Sequence, residues 1–578
     1  MAHKGLMANS RFFRDTNVYA LPPTQGYYNP LFFHTLLMNK AVALSNLSTS
    51  IKDLKASLDH FWVADNFLKQ YRKSIFRKQD QLLIARWINQ AIVGNRKRGV
   101  INVCKELYRK TQQKKYLEQA FYFMERGNAS YLMSSLAEAN AKKFAGIPPK
   151  FLKQELSLRK SIAKYQNLAS VETKSALQDS LIKYNQLYEK LIHRLEQKYP
   201  KYAQLKFDTK QINIAQVKKH MKHGEALLTY VLSSKKNSHV LLITKKTTQL
   251  LSLPFTSKLN NYITPYYNEL QSEARLQPFA QASHRLYQVL FQPLEKHLED
   301  IHKLIIVAPY LESTPFEALV TKLPPKSLGD DFNRLDYLGN RFQISYHYSA
   351  TLWHHSQLEV EAKPQKLNLV AFAPFSGGEG STHRTKRGLG LNLPESKVEV
   401  SSIFNLCKAN KLIAEVSLSS TATKERFIQQ IKQSNIIHVA SHSEANRRNS
   451  GLAKIRFAGC GNGPDLSGCL LASEVYNLEL NADLLVLSSC ESGVGKLVEG
   501  EGVFSLARSF LYAGARNIVF SLWEVDDAYT RELMVAFYKQ FLGKKSINYT
   551  KALQVAQQKL VQQGVHPKHW AGIVMIGK

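Results

Sequence analysis

Residues 436–443 read IIHVASHS, and residues 484–493 read LLVLSSCESG. Each stretch begins as a short apolar run with β-branched side chains, which is typical of a buried strand. Each run then leads into a reactive residue, His442 in the first and Cys490 in the second. If the two strands are parallel neighbours, both residues emerge at the sheet edge where open parallel sheets bind their ligands. The two stretches therefore predict an imidazole and a thiol side by side.

The pairing of these two side chains indicates nucleophilic catalysis. Positions 442 and 490 differ by about 48, close to the ~50 residues between His and Cys in caspases. A thiol needs a nearby imidazole to form a thiolate or to protonate the leaving amine. The backbone N–H groups of Ser443 and Cys490 are the expected oxyanion donors. Two alternatives stay open: a merely buried cysteine after a core strand, and His438 as the base, although its place inside the apolar run favours a core histidine.

The second half of the sequence has the periodicity of an α/β fold. A probable hairpin is indicated by residues 226–232 and 239–244, which flank a polar turn. Short apolar runs then alternate with helical segments, which is typical of a mostly parallel sheet covered on both faces. These runs are residues 304–308, 367–372, 436–440, 484–487 and 518–521.

The first half is predicted to be helical. Residues 1–30 contain Pro, Gly and paired Tyr without a sustained period, so they are expected to form an irregular arm. Residues 31–210 show helical spacing and predict an all-α domain of paired helices, and no clean repeat of about 34 residues is present. A Gly-Ile-Pro-Pro break at 146–149 precedes one long predicted helix over residues 152–198.

Composition limits the class of protein. A chain of 578 residues is long enough for several domains. It has no apolar stretch long enough to span a membrane and no secretory signal at its N-terminus, so a cytoplasmic location and no membrane partner are expected. The five cysteines show no regular spacing, which argues against a disulfide framework or a zinc site. Cys460 and Cys469 are interpreted as incidental, and no metal or organic cofactor is expected.

The net charge of +33 is unusual, and most of it falls within the first 210 residues. Lys69, Arg72, Lys73, Arg77 and Lys78 form one such basic cluster. A field of this sign attracts acidic proteins or nucleic acid, whereas a solvated helical surface is the plainer interpretation. The sequence contains no nucleic-acid-reading motif that decides between them.

Several ordered motifs resemble the CHAT family, caspase-like peptidase domains that accompany helical repeats and are related to separase. The resemblance covers about residues 30 to 578. Its strongest segments are 435–443, 463–495, 499–527 and 566–577, with weaker ones at 304–319, 344–351, 120–132 and 146–149.

The resemblance implies a fold: an α-helical, TPR-like N-terminal domain and an α/β caspase-like three-layer region with a mostly parallel central sheet. It also implies a separase-like division into an inactive half at 215–360 and an active half at 365–578. The family's catalytic His falls on His442 and its nucleophile on Cys490.

The activity implied by the resemblance is that of a bacterial cysteine endopeptidase, a regulated processing enzyme acting on a protein substrate. An activating protein or ribonucleoprotein is expected to bind the basic helical domain, and nucleic acid remains possible. The family often has Gly after the catalytic His, where this chain has Ser443. That departure favours the alternative, a catalytically silent scaffold or adaptor.

Two further sites follow from the resemblance. Separase has acids near the position of Asp526 and Asp527 that receive a basic P1 side chain, and carboxylates favour Lys or Arg by charge pairing. The competing interpretation is a helix N-cap. The Gly-rich basic segment 377–391 is expected to be a loop, and its Arg and Lys residues suit self-cleavage if the enzyme prefers basic P1 residues.

Overall fold

The structure of the chain is a computed structural model. It describes residues 1–47, 50–73, 99–126, 128, 147–171, 175–199, 211–232, 238–255, 258–273, 275–308, 314–325, 329–358, 367–377, 392–446, 450–460, 466–489, 496–498, 502–544 and 547–578.

The N-terminal region is helical, as predicted. Its helices are α1 (Ala2–Ala8), α2 (Pro30–Leu47), α3 (Ile51–Lys73), α4 (Val100–Thr111), α5 (Lys115–Arg126), α6 (Pro149–Val171), α7 (Ser175–Lys198) and α8 (Ile214–His220). Helices adjacent in the chain pack in pairs, α2 with α3 and α4 with α5. The prediction of an irregular segment over residues 1–30 is wrong for α1, which forms because Leu6 is buried in the helical core.

The single long helix predicted over residues 152–198 is also wrong. The described residues form two helices, α6 and α7, that pack against each other. The rings of Tyr165 and Tyr184 stack at 5.2 Å between the two helices, and Phe151 meets Tyr199 at 6.3 Å. One straight amphipathic helix of this length would leave such apolar positions in water, so folding back is favoured.

The rest of the described chain is an α/β region. Its strands are β1 (Glu225–Val231), β2 (His239–Thr244), β3 (Thr248–Ser252), β4 (Lys303–Val307), β5 (Gln343–Tyr346), β6 (Asn368–Ala373), β7 (Ile413–Leu418), β8 (Ile436–Ser441), β9 (Ser443–Glu444), β10 (Lys454–Arg456), β11 (Cys469–Leu471), β12 (Leu484–Ser489), β13 (Lys496–Val498), β14 (Gly502–Phe504), β15 (Asn517–Ser521) and β16 (Ile573–Ile576). Its helices are α9 (Asn260–Gln271), α10 (Leu276–Leu290), α11 (Leu338–Arg341), α12 (Ala350–Leu358), α13 (Pro394–Ala409), α14 (Lys424–Gln430), α15 (Ala472–Val475), α16 (Leu506–Ala513), α17 (Asp527–Phe541) and α18 (Tyr549–Gln562).

Eleven strands form one continuous sheet in the order β3-β2-β1-β4-β5-β16-β15-β12-β8-β6-β7. The predicted hairpin is β1–β2, and each predicted apolar run is a strand. The β4–β5, β15–β12, β12–β8, β8–β6 and β6–β7 pairs are parallel, so the prediction of a mostly parallel sheet is confirmed.

Strand β16 connects the two parts of this sheet. It pairs antiparallel with β15 and parallel with β5. Strands β1 to β5 therefore lie on one side of β16, and strands β15, β12, β8, β6 and β7 lie on the other. Whether these parts correspond to an inactive and an active half stays a prediction.

The helical region packs directly on the sheet. Its apolar core includes Leu227 of β1 and Ile305 of β4. Glu125 of α5 is buried and accepts hydrogen bonds from the backbone N–H groups of Ala350 and Thr351 at 3.0 and 2.8 Å. This carboxylate caps α12, because the first N–H groups of a helix have no partner within it. In the described ranges, no helix is both long and apolar enough to cross a bilayer.

Candidate active site

The two strands that end in reactive residues are neighbours. Strands β8 and β12 are parallel, and Ser441 lies opposite Ser489 in their register. The next residues in the sequence are His442 and Cys490. Cys490 lies outside the described residues, but the strand preceding it ends beside the strand preceding His442. The prediction that the two strands are parallel neighbours is confirmed.

His442 is half-buried at this edge. Its ring lies against Phe375, with the ring centroids 5.0 Å apart. Phe375 comes shortly after β6, the strand on the other side of β8. The main-chain oxygen of His442 accepts a hydrogen bond from the backbone N–H of Arg456 at 3.0 Å. Contacts from two neighbouring elements therefore hold this histidine.

Ser443 begins a second, small sheet beside the site. This sheet has the order β11-β10-β9, and Ser443 lies opposite Ile455. Ser443 is buried, with an exposed fraction of 6%. The expected oxyanion donor is thus part of a strand that follows His442 directly. Its role in catalysis stays a prediction.

The same small sheet contains a disulfide bond, which corrects the interpretation of Cys460 and Cys469 as incidental. The two sulfur atoms are bonded, and the Cα atoms lie 5.0 Å apart. The antiparallel pairing of β10 with β11 places Cys469 opposite Arg456, and the chain turns back to bring Cys460 within reach. This proximity depends on strand pairing, so the spacing of cysteines along the sequence does not show it.

The two described free cysteines are buried. Burial raises the pKa of the Cys407 thiol to about 11. Burial also raises the pKa of Cys104, again because a thiolate is poorly solvated in an apolar core. Neither thiol is a good nucleophile near neutral pH.

His438 is a core residue and lies in the middle of β8. Its Nε2 lies 2.8 Å from Glu399 Oε1, and its Nδ1 lies 3.2 Å from the Tyr538 hydroxyl. The imidazole and the carboxylate are almost completely inaccessible to solvent. Because the ring is completely buried, His438 cannot meet a substrate.

Asp526 and Asp527 occupy different environments. Asp526 is the N-cap of α17, and its Oδ1 accepts from the backbone N–H groups of Ala528 and Tyr529. Asp527 Oδ2 accepts from the backbone N–H of Glu395 at 3.1 Å. Burial and the nearby Glu399 carboxylate raise the pKa of Asp527 to about 7. The N-cap interpretation therefore describes Asp526, whereas Asp527 faces the start of α13.

An ion pair accompanies Asp527. The Arg531 Nη1 lies 2.6 Å from Glu395 Oε2. The start of α13 is tied to the site because the Leu393 backbone N–H donates to the Phe375 carbonyl at 2.9 Å. Carboxylates and one arginine thus lie near the segment that holds Phe375. Within the described part of the chain, no group of His, Cys, Asp or Glu side chains has the arrangement of a metal site.

Sequence reasoning missed Phe375, Arg456 and Glu395. Phe375 follows the strand run 367–372, so the rule that points to strand ends would have found it. Arg456 and Glu395 carry no such signal, because their place depends on how β10 and α13 pack. Of the predicted self-cleavage segment 377–391, all but Gly377 lies outside the described residues, and so do Arg77 and Lys78 of the basic cluster.

The sequence model of the CHAT domain family matches residues 280–578, which is just over half of the chain. The chain belongs to the CHAT family. This membership confirms the resemblance to the CHAT family over the matched residues. His442 and Cys490 both fall within the matched range.

Two curated relatives of this CHAT protein are tetratricopeptide repeat proteins. Human tetratricopeptide repeat protein 28 is 28% identical over 217 residues, which cover 32% of this chain and 8% of the human protein. The mouse protein of the same name is 27% identical over 217 residues, with the same two coverages. The chain therefore aligns with less than a tenth of the length of either relative.

Solved structures similar to this CHAT protein include the separase–securin complex of Saccharomyces cerevisiae. That match has a TM-score of 0.41 and 9% identity, and it covers 95% of this chain and 52% of that chain. A second is the complex of the pro- and mature domains of Porphyromonas gingivalis RgpB, with a TM-score of 0.30 and 12% identity, covering 54% of this chain and 71% of that chain.

Proposed function

We propose that this chain is a cysteine endopeptidase with Cys490 as nucleophile and His442 as general acid and base. The observation that carries the proposal is the parallel register in which Ser441 lies opposite Ser489. In that register, the residues that directly follow the two strands are His442 and Cys490. These are the positions onto which the family's catalytic pair falls. Membership of the CHAT family supports the same assignment.

The reaction proceeds through a thioester. His442 takes the proton of the Cys490 thiol, and the thiolate attacks the carbonyl carbon of the scissile peptide bond. The backbone N–H groups of Ser443 and Cys490 donate to the oxyanion. His442 then gives its proton to the leaving nitrogen, which releases the amine. Water, deprotonated by His442, attacks the thioester, and the new carboxylic acid leaves as Cys490 recovers its proton.

A basic P1 residue is the preferred substrate in this proposal. Asp527 contacts the start of α13, which is tied to the Phe375 carbonyl through Leu393, and the neighbouring Asp526 carboxylate attracts Lys or Arg. Asp526→Asn tests this point, because Asn is also a good N-cap but lacks the charge. We expect a higher KM for Arg substrates and a melting temperature close to the native value. An unchanged KM removes Asp526 from substrate binding.

A thiol-reactive peptide probe tests the central assignment. Probe labelling of the native chain is expected to disappear in Cys490→Ala and to slow strongly in His442→Ala. Cys407→Ala is the matched control, because its buried, high-pKa thiol is not expected to react. Equal labelling of the native chain and of Cys490→Ala would refute the peptidase assignment.

The second candidate function is a catalytically silent scaffold. Ser443 favours it, since the family often has Gly there and a side chain restricts close approach of a substrate backbone. Ser443→Gly separates the two candidates. A large gain of activity in the glycine variant, over an inactive native chain, would support the scaffold. Comparable activity of both would support the enzyme.

The helical region is the proposed binding surface for an activating protein or ribonucleoprotein. The greater part of the +33 net charge falls within the first 210 residues, which favours an acidic partner. RNA binding that weakens steeply with salt would support a ribonucleoprotein. No binding to RNA at low salt leaves an acidic protein as the partner.

A further inference from the structure

Arg456 contacts the segment of His442 through its backbone. The Arg456 N–H donates to the His442 carbonyl at 3.0 Å. The Ser441 hydroxyl, one residue earlier, donates to the Arg456 carbonyl. Both polar groups of the Arg456 backbone are therefore hydrogen-bonded, the N–H to His442 and the carbonyl to Ser441, the last residue of β8. These bonds fix where the histidine leaves the sheet.

The side chain of Arg456 is linked to the same histidine through the Phe375 ring. Its guanidinium carbon lies 5.9 Å from the centre of the Phe375 ring. Phe375 in turn lies against the His442 ring at 5.0 Å. The Phe375 ring thus contacts both the Arg456 guanidinium and the His442 imidazole. A guanidinium over an aromatic face is an attractive contact, and it limits how far the phenyl ring can move.

Two oxygen atoms hold the guanidinium in place. Its Nη2 lies 3.0 Å from the Cys460 carbonyl, and its Nη1 lies 3.6 Å from Glu444 Oε1. The Arg456 side chain is 8% exposed. Glu444 is also paired with Lys454 at 3.1 Å. The Cys460–Cys469 disulfide fixes the segment that supplies the carbonyl.

We infer that Arg456 is a positioning residue that holds the His442 imidazole in its catalytic place through Phe375. This inference rests on the proposed function. A general base must lie within hydrogen-bond reach of the proton it takes, and a displacement of about 1 Å can lower the rate by about 10²-fold. The fork of Arg456 meets two oxygens at once, which the single ammonium of Lys does not reproduce.

Steady-state kinetics of Arg456→Ala provide the first test. We expect kcat to fall by about 10²-fold with KM nearly unchanged, because the imidazole is misplaced and substrate contacts are kept. The kcat of Arg456→Lys is expected to lie between those of Arg456→Ala and the native chain. Arg341→Ala is the control, since Arg341 also pairs with a carboxylate, Glu295 at 2.7 Å, and lies over an aromatic ring, Phe342 at 5.0 Å. Its kcat should match the native value.

A second measurement reads the position of His442 without using activity. In protein labelled with ¹³C-histidine, the ring resonance of His442 is assigned from its loss in His442→Gln. Its chemical shift depends on the neighbouring Phe375 ring. It should move in Arg456→Ala and stay in place in Arg341→Ala, and Phe375→Leu, which removes the neighbouring ring, gives the size of the shift that this ring causes. An unmoved resonance, or an unchanged kcat, in a folded Arg456→Ala variant would overturn the inference.

The two proposals fail in different ways. If probe labelling is equal in the native chain and in Cys490→Ala, the peptidase assignment fails, and the resonance alone decides whether Arg456 positions His442. If Arg456→Ala does not fold, Arg456→Lys decides by the same two measurements. Native kcat and an unmoved resonance in Arg456→Lys would overturn the inference.

Discussion

His347 and His442 each directly follow a parallel strand of the same sheet. His347 follows β5, and His442 follows β8. His347 is 8% exposed, its Nε2 lies 2.8 Å from the Gly577 carbonyl, and burial lowers its pKa to about 4. His442 is half-buried and lies against Phe375. A place at the end of a strand is therefore not enough to make a catalytic histidine; the surrounding side chains decide.

The neighbouring strands extend this comparison. Beside β5 lies β4, which is followed by Ala308, whereas β12 beside β8 is followed by Cys490. Around His347 lies a cavity of about 40 Å³ with mostly apolar walls. Ile306, Tyr348, Phe520 and Leu522 are among its lining residues. The cavity beside His347 is therefore lined mainly by apolar and aromatic side chains.

Replacement of each histidine should give the largest difference between the two edges. His442→Ala is expected to lower kcat/KM by about 10²- to 10⁴-fold, the usual contribution of general acid–base catalysis. His347→Gln should leave kcat/KM near the native value, because its ring is engaged with Gly577. The comparison requires kcat/KM of both variants and of the native chain, measured below the melting temperatures of the variants. A similar loss in both would mean that the two edges act together.

Removal of the disulfide should weaken only the β8 edge. The Cys460→Ser/Cys469→Ser double variant opens a short loop, for which chain entropy gives about 2–3 kcal/mol of stability. Urea denaturation is expected to show this loss. The activity should fall as well, since the Cys460 carbonyl holds Arg456. Full activity with reduced stability would show that the disulfide supports the fold alone.

Glu317 gives the β5 edge a characteristic pH dependence. Its buried carboxyl accepts from the Tyr346 hydroxyl at 2.7 Å, and burial raises its pKa from 4.5 to about 7. The folded chain thus holds this proton more tightly than the unfolded chain, so its contribution to stability falls as pH rises from about 4.5 to 7. We expect Glu317→Gln to be more stable than the native chain by about 3 kcal/mol at pH 8 and equally stable at pH 4.

The variant must be compared with the native chain at each pH. The lowered pKa of His347 has the opposite sign, because the unfolded chain binds a proton there below pH 6.5 and the folded chain does not. The two contributions partly cancel in the native protein. Denaturation curves of both proteins from pH 4 to 8 separate them. A constant difference across this range would contradict the expected behaviour of Glu317.

The smallest effect is expected at Asp526, which lies between β15 and α17 in the chain. Asp526→Ala removes the N-cap of α17 and should cost about 1 kcal/mol of stability. Asp526→Asn should cost less, because its amide oxygen can accept the same bonds. Thermal denaturation measures both. Equal losses in the two variants would mean that the charge, rather than the cap, stabilises the helix.

The sequence was informative where local pattern and position carry the signal. The apolar runs ending before His442 and Cys490 predict two buried strands, and their parallel pairing follows from the alternation with helices. Contacts between distant segments were not predictable. The Cys460–Cys469 bond, the position of Arg456 over Phe375 and the fold-back of α6 on α7 all depend on which elements pair in space.

Strand β16 has a consequence for how the two parts of the sheet stay together. It is made after all fifteen other strands, yet it lies between β5 and β15. Until residues 573–576 are synthesised, both β5 and β15 lack their pairing with β16. If a protease cut the chain between residues 358 and 367, we therefore expect the two fragments to elute together. The pairing of β16 with both β5 and β15 would hold them without a covalent connection.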